Sequence, residues 1–127
     1  MNRPVTQLLY VDDDRINTLL FVEVCRPDAS LAVSTAADAA EALDTARQTP
    51  PHALFIDLNL PDSNGLQLLA RLRALPGLAA APAFLCTAER VSEVRDQALA
   101  AGFQGVWEKP VDLQTIREAL QQALPDA

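Results

Sequence analysis

Four short apolar runs in this chain each end on side chains suited to one kind of chemistry. Asp12, Asp13 and Asp14 follow residues 8–11, Asp57 follows residues 53–56, Thr87 follows residues 83–86, and Lys109-Pro110 follows residues 105–108. Carboxylates bind hard divalent cations, whereas a hydroxyl and an ammonium bind phosphoryl oxygens. Adjacent carboxylates repel and raise one another's pKa unless positive charge sits among them. Magnesium supplies such charge, taking one or two protein carboxylates in octahedral oxygen coordination. Asp12 and Asp13 are therefore candidate Mg2+ ligands, while Asp14 fits better as a solvated residue favoured by a helix dipole. Asp57 is the lone acid of its run and a candidate nucleophile, because an ionised carboxylate attacks phosphorus without a general base. Phosphoryl transfer asks mainly for in-line positioning and charge neutralisation, which Mg2+ and Lys109 would provide. Thr87 alone reads as a helix cap and gains significance from its company. A lysine ending an apolar run is a poor core residue, and a cis bond to Pro110 would aim Lys109 inward.

These residues lie far apart in sequence, so a fold must gather them. Short apolar runs alternate with longer amphipathic ones, a βαβα rhythm that predicts a parallel sheet with helices on both faces. Strands are expected at 6–11, 30–34, 53–57, 82–87 and 104–108. Helical spacing appears in Ile16, Leu19, Leu20 and Val24, in Ala39, Leu43 and Ala46, and in Leu66, Leu69 and Leu72. It recurs in Val91, Val94 and Ala98, and in Leu113, Ile116 and Leu120. Pro27, Pro50-Pro51, Pro76-Gly77, Pro82 and Pro110 all fall between these elements. In such a sheet the carboxyl ends of the strands lie side by side, and open α/β folds bind ligands in the crevice beyond them. Pro61 to Gly65 forms a turn after Asp57, with Ser63 or Asn64 available to cap the next helix and close the loop over the site.

Bulk composition narrows the function. A chain of 127 residues suits one domain over residues 1–127 with one core, with no linker, no internal repeat and no effector domain. Ten Lys and Arg against seventeen Asp and Glu, a net charge of −7, argue against a nucleic-acid partner. Cys25 and Cys86 lie in separate apolar stretches and read as buried thiols of a reducing cytoplasm. No signal-peptide layout or bilayer-length apolar run is present, so a soluble, cytoplasmic protein without a membrane partner is expected. His52, in a loop before the third expected strand, reads as a surface residue.

With these residues placed, the chain resembles the receiver domain of two-component response regulators over nearly its full length. The resemblance lies in Leu8-Leu-Tyr-Val-Asp-Asp-Asp14, Phe55-Ile-Asp-Leu-Asn-Leu-Pro-Asp-Ser-Asn-Gly65, Leu85-Cys-Thr-Ala88 and Glu108-Lys-Pro110. It implies a flavodoxin-like (βα)5 doubly wound parallel sheet of strand order 2-1-3-4-5. It further implies that Asp57 accepts a phosphoryl group from a phosphohistidine on a sensor histidine kinase or histidine phosphotransfer protein. Asp12, Asp13, Asp57 and the backbone carbonyl of Asn59 would hold Mg2+. Thr87 would bind a phosphoryl oxygen and move toward it, and Lys109 would pair with the phosphoryl group or with Asp57. Such a protein is a regulator that assists its own phosphorylation and dephosphorylation rather than an enzyme. It would be a monomer or weak dimer acting through a separate output protein. The stretch Asp14-Arg-Ile-Asn-Thr-Leu-Leu20 resembles receivers attached to hybrid kinases, whose phosphotransfer partners would dock near the first helix. Two positions depart from the family pattern. Val106 stands where an aromatic commonly couples to the Thr, and Val111 where an aromatic often follows the Lys-Pro pair. Trp107 cannot simply replace the first, because successive strand residues point to opposite faces.

Two rival readings differ at named residues. A haloacid-dehalogenase-like phosphatase also uses an Asp nucleophile with Mg2+, but needs a second Asp two residues later, where this chain has Asn59. A degenerate receiver would act as a phosphorylation-independent binding module, against which stands the retention of Asp12, Asp13, Asp57, Thr87 and Lys109 together.

Overall fold

The computed structural model describes residues 5–124. Five strands and five helices alternate along the chain: β1 (Thr6–Val11), α1 (Arg15–Cys25), β2 (Leu31–Ala36), α2 (Ala39–Gln48), β3 (Ala53–Asp57), α3 (Gly65–Arg73), β4 (Ala83–Thr87), α4 (Val91–Ala101), β5 (Gly105–Glu108) and α5 (Leu113–Ala123). The strands form one parallel sheet in the order β2-β1-β3-β4-β5, the doubly wound order expected. β2 extends past its expected end to Ala36, because its register with β1 continues to the pair Val11 and Ala36. β3 and β4 are buried at every position, as central strands covered on both faces must be. Among the described residues no helix is long and apolar enough to cross a membrane.

The period-two alternation of the strands divides the core into two layers. Leu9, Val11, Leu54, Ile56, Leu85 and Val106 pack with residues of α2, α3 and α4. Leu8, Tyr10, Phe55, Phe84, Cys86 and Trp107 pack instead with residues of α1 and α5. The second layer is aromatic: Tyr10 stacks on Phe21 at 4.3 Å between ring centroids, Phe21 meets Phe55 at 5.1 Å, and Phe84 stacks on Trp107 at 4.6 Å. Val106 and Trp107 thus face opposite layers, as the alternation requires. Cys25 and Cys86 are buried free thiols.

One expected face is corrected. Ile16, Leu19 and Leu20 do not form the packed side of α1; they are 70%, 56% and 46% exposed, and Phe21 and Cys25 turn inward. The helix carries apolar residues around most of its circumference, so a period of 3.6 is compatible with more than one face. The aromatic layer selects the face that brings the Phe21 ring onto Tyr10 and Phe55. The other helices bury most of the expected residues, namely Ala39, Leu43 and Ala46 of α2, Leu69 and Leu72 of α3, Val94 and Ala98 of α4, and Ile116 and Leu120 of α5, whereas Leu66, Val91 and Leu113 are half-buried.

Local signals anchor the connections. Asp14 caps α1, accepting from the backbone N–H groups of Ile16 and Asn17 at 2.9 and 3.0 Å. Asn64, rather than Ser63, caps α3 through the N–H of Gln67. Asp62 reaches from the β3–α3 loop to the start of α2, accepting from the N–H groups of Ala39 and Ala40 at 2.9 and 3.1 Å. The Lys109-Pro110 bond is cis.

Candidate phosphoacceptor site

The strand register brings the chemical side chains to one edge. Val11 lies beside Ile56, Asp57 beside Cys86, and Thr87 beside Glu108, so Asp12, Asp57, Thr87 and Lys109 all emerge at the carboxyl ends of neighbouring strands. They line a crevice of about 340 Å³ together with Asp13 and Asn59. β1 and β3 are adjacent here although β2 lies between them in sequence, which is the switch point where such folds place ligands.

Asp12 is buried and fully engaged. Its Oδ2 accepts from the Lys109 ammonium at 2.7 Å and from the Tyr10 hydroxyl at 2.8 Å, and its Oδ1 accepts from the N–H of Asp14 at 2.9 Å. Asp57 is held by one oxygen only: Oδ1 accepts from the N–H of Leu58 at 2.9 Å and lies 3.1 Å from Lys109 Nζ. The hydrogen bonds among the described residues leave Asp57 Oδ2 without a donor. Asp13 is exposed at the crevice mouth, and carboxylate oxygens of Asp12, Asp13 and Asp57 lie within 4.8 Å of one another. Thr87 does not cap a helix. It is buried, and its Oγ1 accepts from the N–H of Glu89 at 2.9 Å, ahead of the start of α4.

The charge at this edge is unbalanced, with three carboxylates around one ammonium. Burial, and next the neighbouring Asp12, push the Asp57 carboxyl up to about 6 against the opposing pull of Lys109. Burial draws the Lys109 ammonium down, but its hydrogen bond to Asp12 and the Asp57 charge outweigh this and leave it raised. A cluster of hard oxygen donors with excess negative charge, open on one side, fits a small divalent cation such as Mg2+.

The loop after Asp57 is shaped by Gly65. A Cβ there would lie 2.5 Å from the backbone oxygen of Asp57, so only glycine lets α3 begin this close to the end of β3. Its N–H also donates to the Leu58 oxygen at 2.8 Å. Asn59 lines the crevice, and its backbone bridges to Asn64.

Five side chains singled out in the sequence therefore meet at one edge; Asp14 borders the same crevice, with its Oδ1 committed to capping α1. His52 is exposed before β3, where its Nδ1 accepts from the N–H of Gln7 at 2.8 Å. Tyr10 was not singled out in the sequence. The available signal was its place two residues before Asp12, which puts both on one face of the strand.

Comparison with known proteins bears on what this edge belongs to. Residues 8–121 match the family described as the response regulator receiver domain. An uncharacterised 14.6 kDa protein of Leptolyngbya boryana is 36% identical over 124 residues, covering 94% of both chains. Transcriptional regulatory protein KdpE of Mycobacterium tuberculosis is 32% identical over 92% of this chain, which spans 50% of that regulator. The crystal structure of chemotaxis protein CheY4 of Vibrio cholerae superimposes with a TM-score of 0.83 at 28% identity, over 94% of this chain and 99% of that one. The family match runs from β1 into α5 and so takes in all four strand ends that build the crevice, which makes this chain a member of the response regulator receiver domains of two-component signalling.

Proposed function

We propose that the chain is the phosphoacceptor switch of a two-component or phosphorelay system, in which Asp57 takes a phosphoryl group from a phosphohistidine. The donor is a sensor histidine kinase or a histidine phosphotransfer protein. The observation that carries this reading is the state of the Asp57 carboxylate: Oδ1 is tethered, whereas Oδ2 has no donor among the described residues and belongs to an open crevice. In the transfer, a lone pair on Oδ2 forms the new O–P bond as the N–P bond to the donor imidazole breaks, and that bonding pair stays on the ring nitrogen. Lys109, 3.1 Å from Oδ1, neutralises charge on the acceptor and then on the phosphoryl oxygens. The Thr87 hydroxyl donates to a phosphoryl oxygen. Asp12, Asp13, Asp57 and the backbone carbonyl of Asn59 would hold Mg2+, which supplies further positive charge where the phosphoryl group arrives.

The new phosphoryl group alters binding of a separate output protein. With Val106 in the layer facing α3 and α4, the change at Thr87 is read without a switching ring at that position. Intact-mass spectrometry after incubation with Mg2+ and acetyl phosphate tests the acceptor. A gain of one phosphoryl mass in the parent and none in Asp57→Asn is expected. An unmodified parent with its fold intact would instead favour a phosphorylation-independent binding module.

A further inference from the structure

We propose that Tyr10 is a positioning residue of the cation site, whose hydroxyl holds the Asp12 carboxylate in one orientation, beside Lys109 in the resting site and in its place once Lys109 turns to the phosphoryl group. This rests on reading Asp12 as a Mg2+ ligand.

The Asp12 side chain is completely buried, and three donors fix it. They are not equivalent. Lys109 is shared between Asp12 at 2.7 Å and Asp57 at 3.1 Å, and its charge is the one that an arriving phosphoryl group attracts. The N–H of Asp14 reaches Oδ1 alone. Once Lys109 shifts, Tyr10 is the remaining donor to Oδ2. The hydroxyl is neutral, so added negative charge on Asp57 draws it away far less than it draws an ammonium.

It is also rigidly mounted. Tyr10 is 2% exposed, its ring stacks on Phe21 with 16° between planes, and Phe21 in turn meets Phe55. Tyr10 lies two residues before Asp12 on one strand face, so the hydroxyl reaches Oδ2 along the strand with no loop between them.

A simpler account makes the hydroxyl a satisfied core group that matters only to packing. The two accounts separate on Tyr10→Phe, which keeps the ring and removes only the donor. Loss of a donor has two opposed effects on a ligand carboxylate: it frees the torsion, which weakens binding, and it leaves more charge on the oxygen, which strengthens it. Removing an outer partner of a metal ligand commonly costs about 10- to 100-fold in affinity, so orientation is expected to win.

The test is a Mg2+ titration of the parent, Tyr10→Phe and Asp13→Asn, followed by backbone amide chemical shifts. Tyr10→Phe should show a spectrum unchanged outside the site and a Mg2+ affinity roughly tenfold below the parent's. At saturating Mg2+ its phosphorylation by acetyl phosphate should return close to the parental rate. Parental or tighter Mg2+ affinity in Tyr10→Phe would overturn the positioning role. A parent that binds no Mg2+, or an Asp13→Asn variant that binds it unchanged, would instead overturn the cation site on which the role depends.

Discussion

Asp57 occupies an environment that works against its own charge. Burial, and then Asp12, raise its pKa from 3.8 to about 6, and Lys109 only partly compensates. Between those two values the folded state holds a proton that the unfolded chain has released. Stability therefore falls as pH rises through that window, and the deficit is complete above it. Asp57→Asn removes the penalty. Without divalent cations it should stabilise the fold by about 1–3 kcal/mol at pH 7 and by close to nothing at pH 3. Urea unfolding with a chelator present measures the difference, and equal stability of the two proteins at pH 7 would contradict the account. The sequence allowed Asp57 to be picked out, because it is the lone acid ending an apolar run. It could not show the shift, since burial and the approach of Asp12 exist only once β1 and β3 are paired.

At the scale of elements, the β3–α3 loop is where the fold and the site constrain each other. Gly65→Ala would drive a methyl into the Asp57 backbone oxygen, so β3 or α3 must shift. A loss of roughly 1–3 kcal/mol, of the size seen for overpacking, should accompany slower phosphorylation by acetyl phosphate. Unchanged unfolding would show that the close approach is relieved at no cost. Asp62→Ala should lower stability by about 1 kcal/mol, because it strips two N–H groups at the start of α2 of their partner. Ser63→Ala serves as the control, since Asn64 carries the α3 cap. If both variants unfold alike, the Asp62 bridge contributes nothing. The strands could be located from sequence because continuous apolar runs bounded by Pro, Gly and Asp leave few alternatives. The choice between Ser63 and Asn64 could not be made, because it depends on which residue has extended backbone at the helix start. Nor could the bridge from Asp62 to Ala39, which joins residues 23 positions apart through a contact that only tertiary packing creates.

For the whole molecule, the orientation of α1 decides which of its apolar side chains remain at the surface. Its 3.6 periodicity was legible, but a helix apolar on several sides is oriented only by what it packs on, and here the aromatic layer claims Phe21. Ile16, Leu19 and Leu20 are left outside, at an end of α1 close to the acidic crevice, which Asn17 helps to line. Leu20 also borders a shallow groove with Pro110 and Val111, directly after Lys109. On the proposed function, an apolar surface beside Asp57 would suit a protein donor, which must bring its phosphohistidine to that carboxylate, and would be irrelevant to a small donor. Ile16→Asp and Leu20→Asp should therefore reduce transfer from a histidine phosphotransfer protein roughly tenfold or more, the effect of losing an apolar anchor at an interface. The rate with acetyl phosphate should be unchanged. Ile16 is 70% exposed, so its substitution should alter stability by no more than about 0.5 kcal/mol. Rates measured with both donors decide the matter: a selective loss with the protein donor places its docking on α1, whereas an equal loss with both would trace the defect to the crevice and remove α1 from recognition.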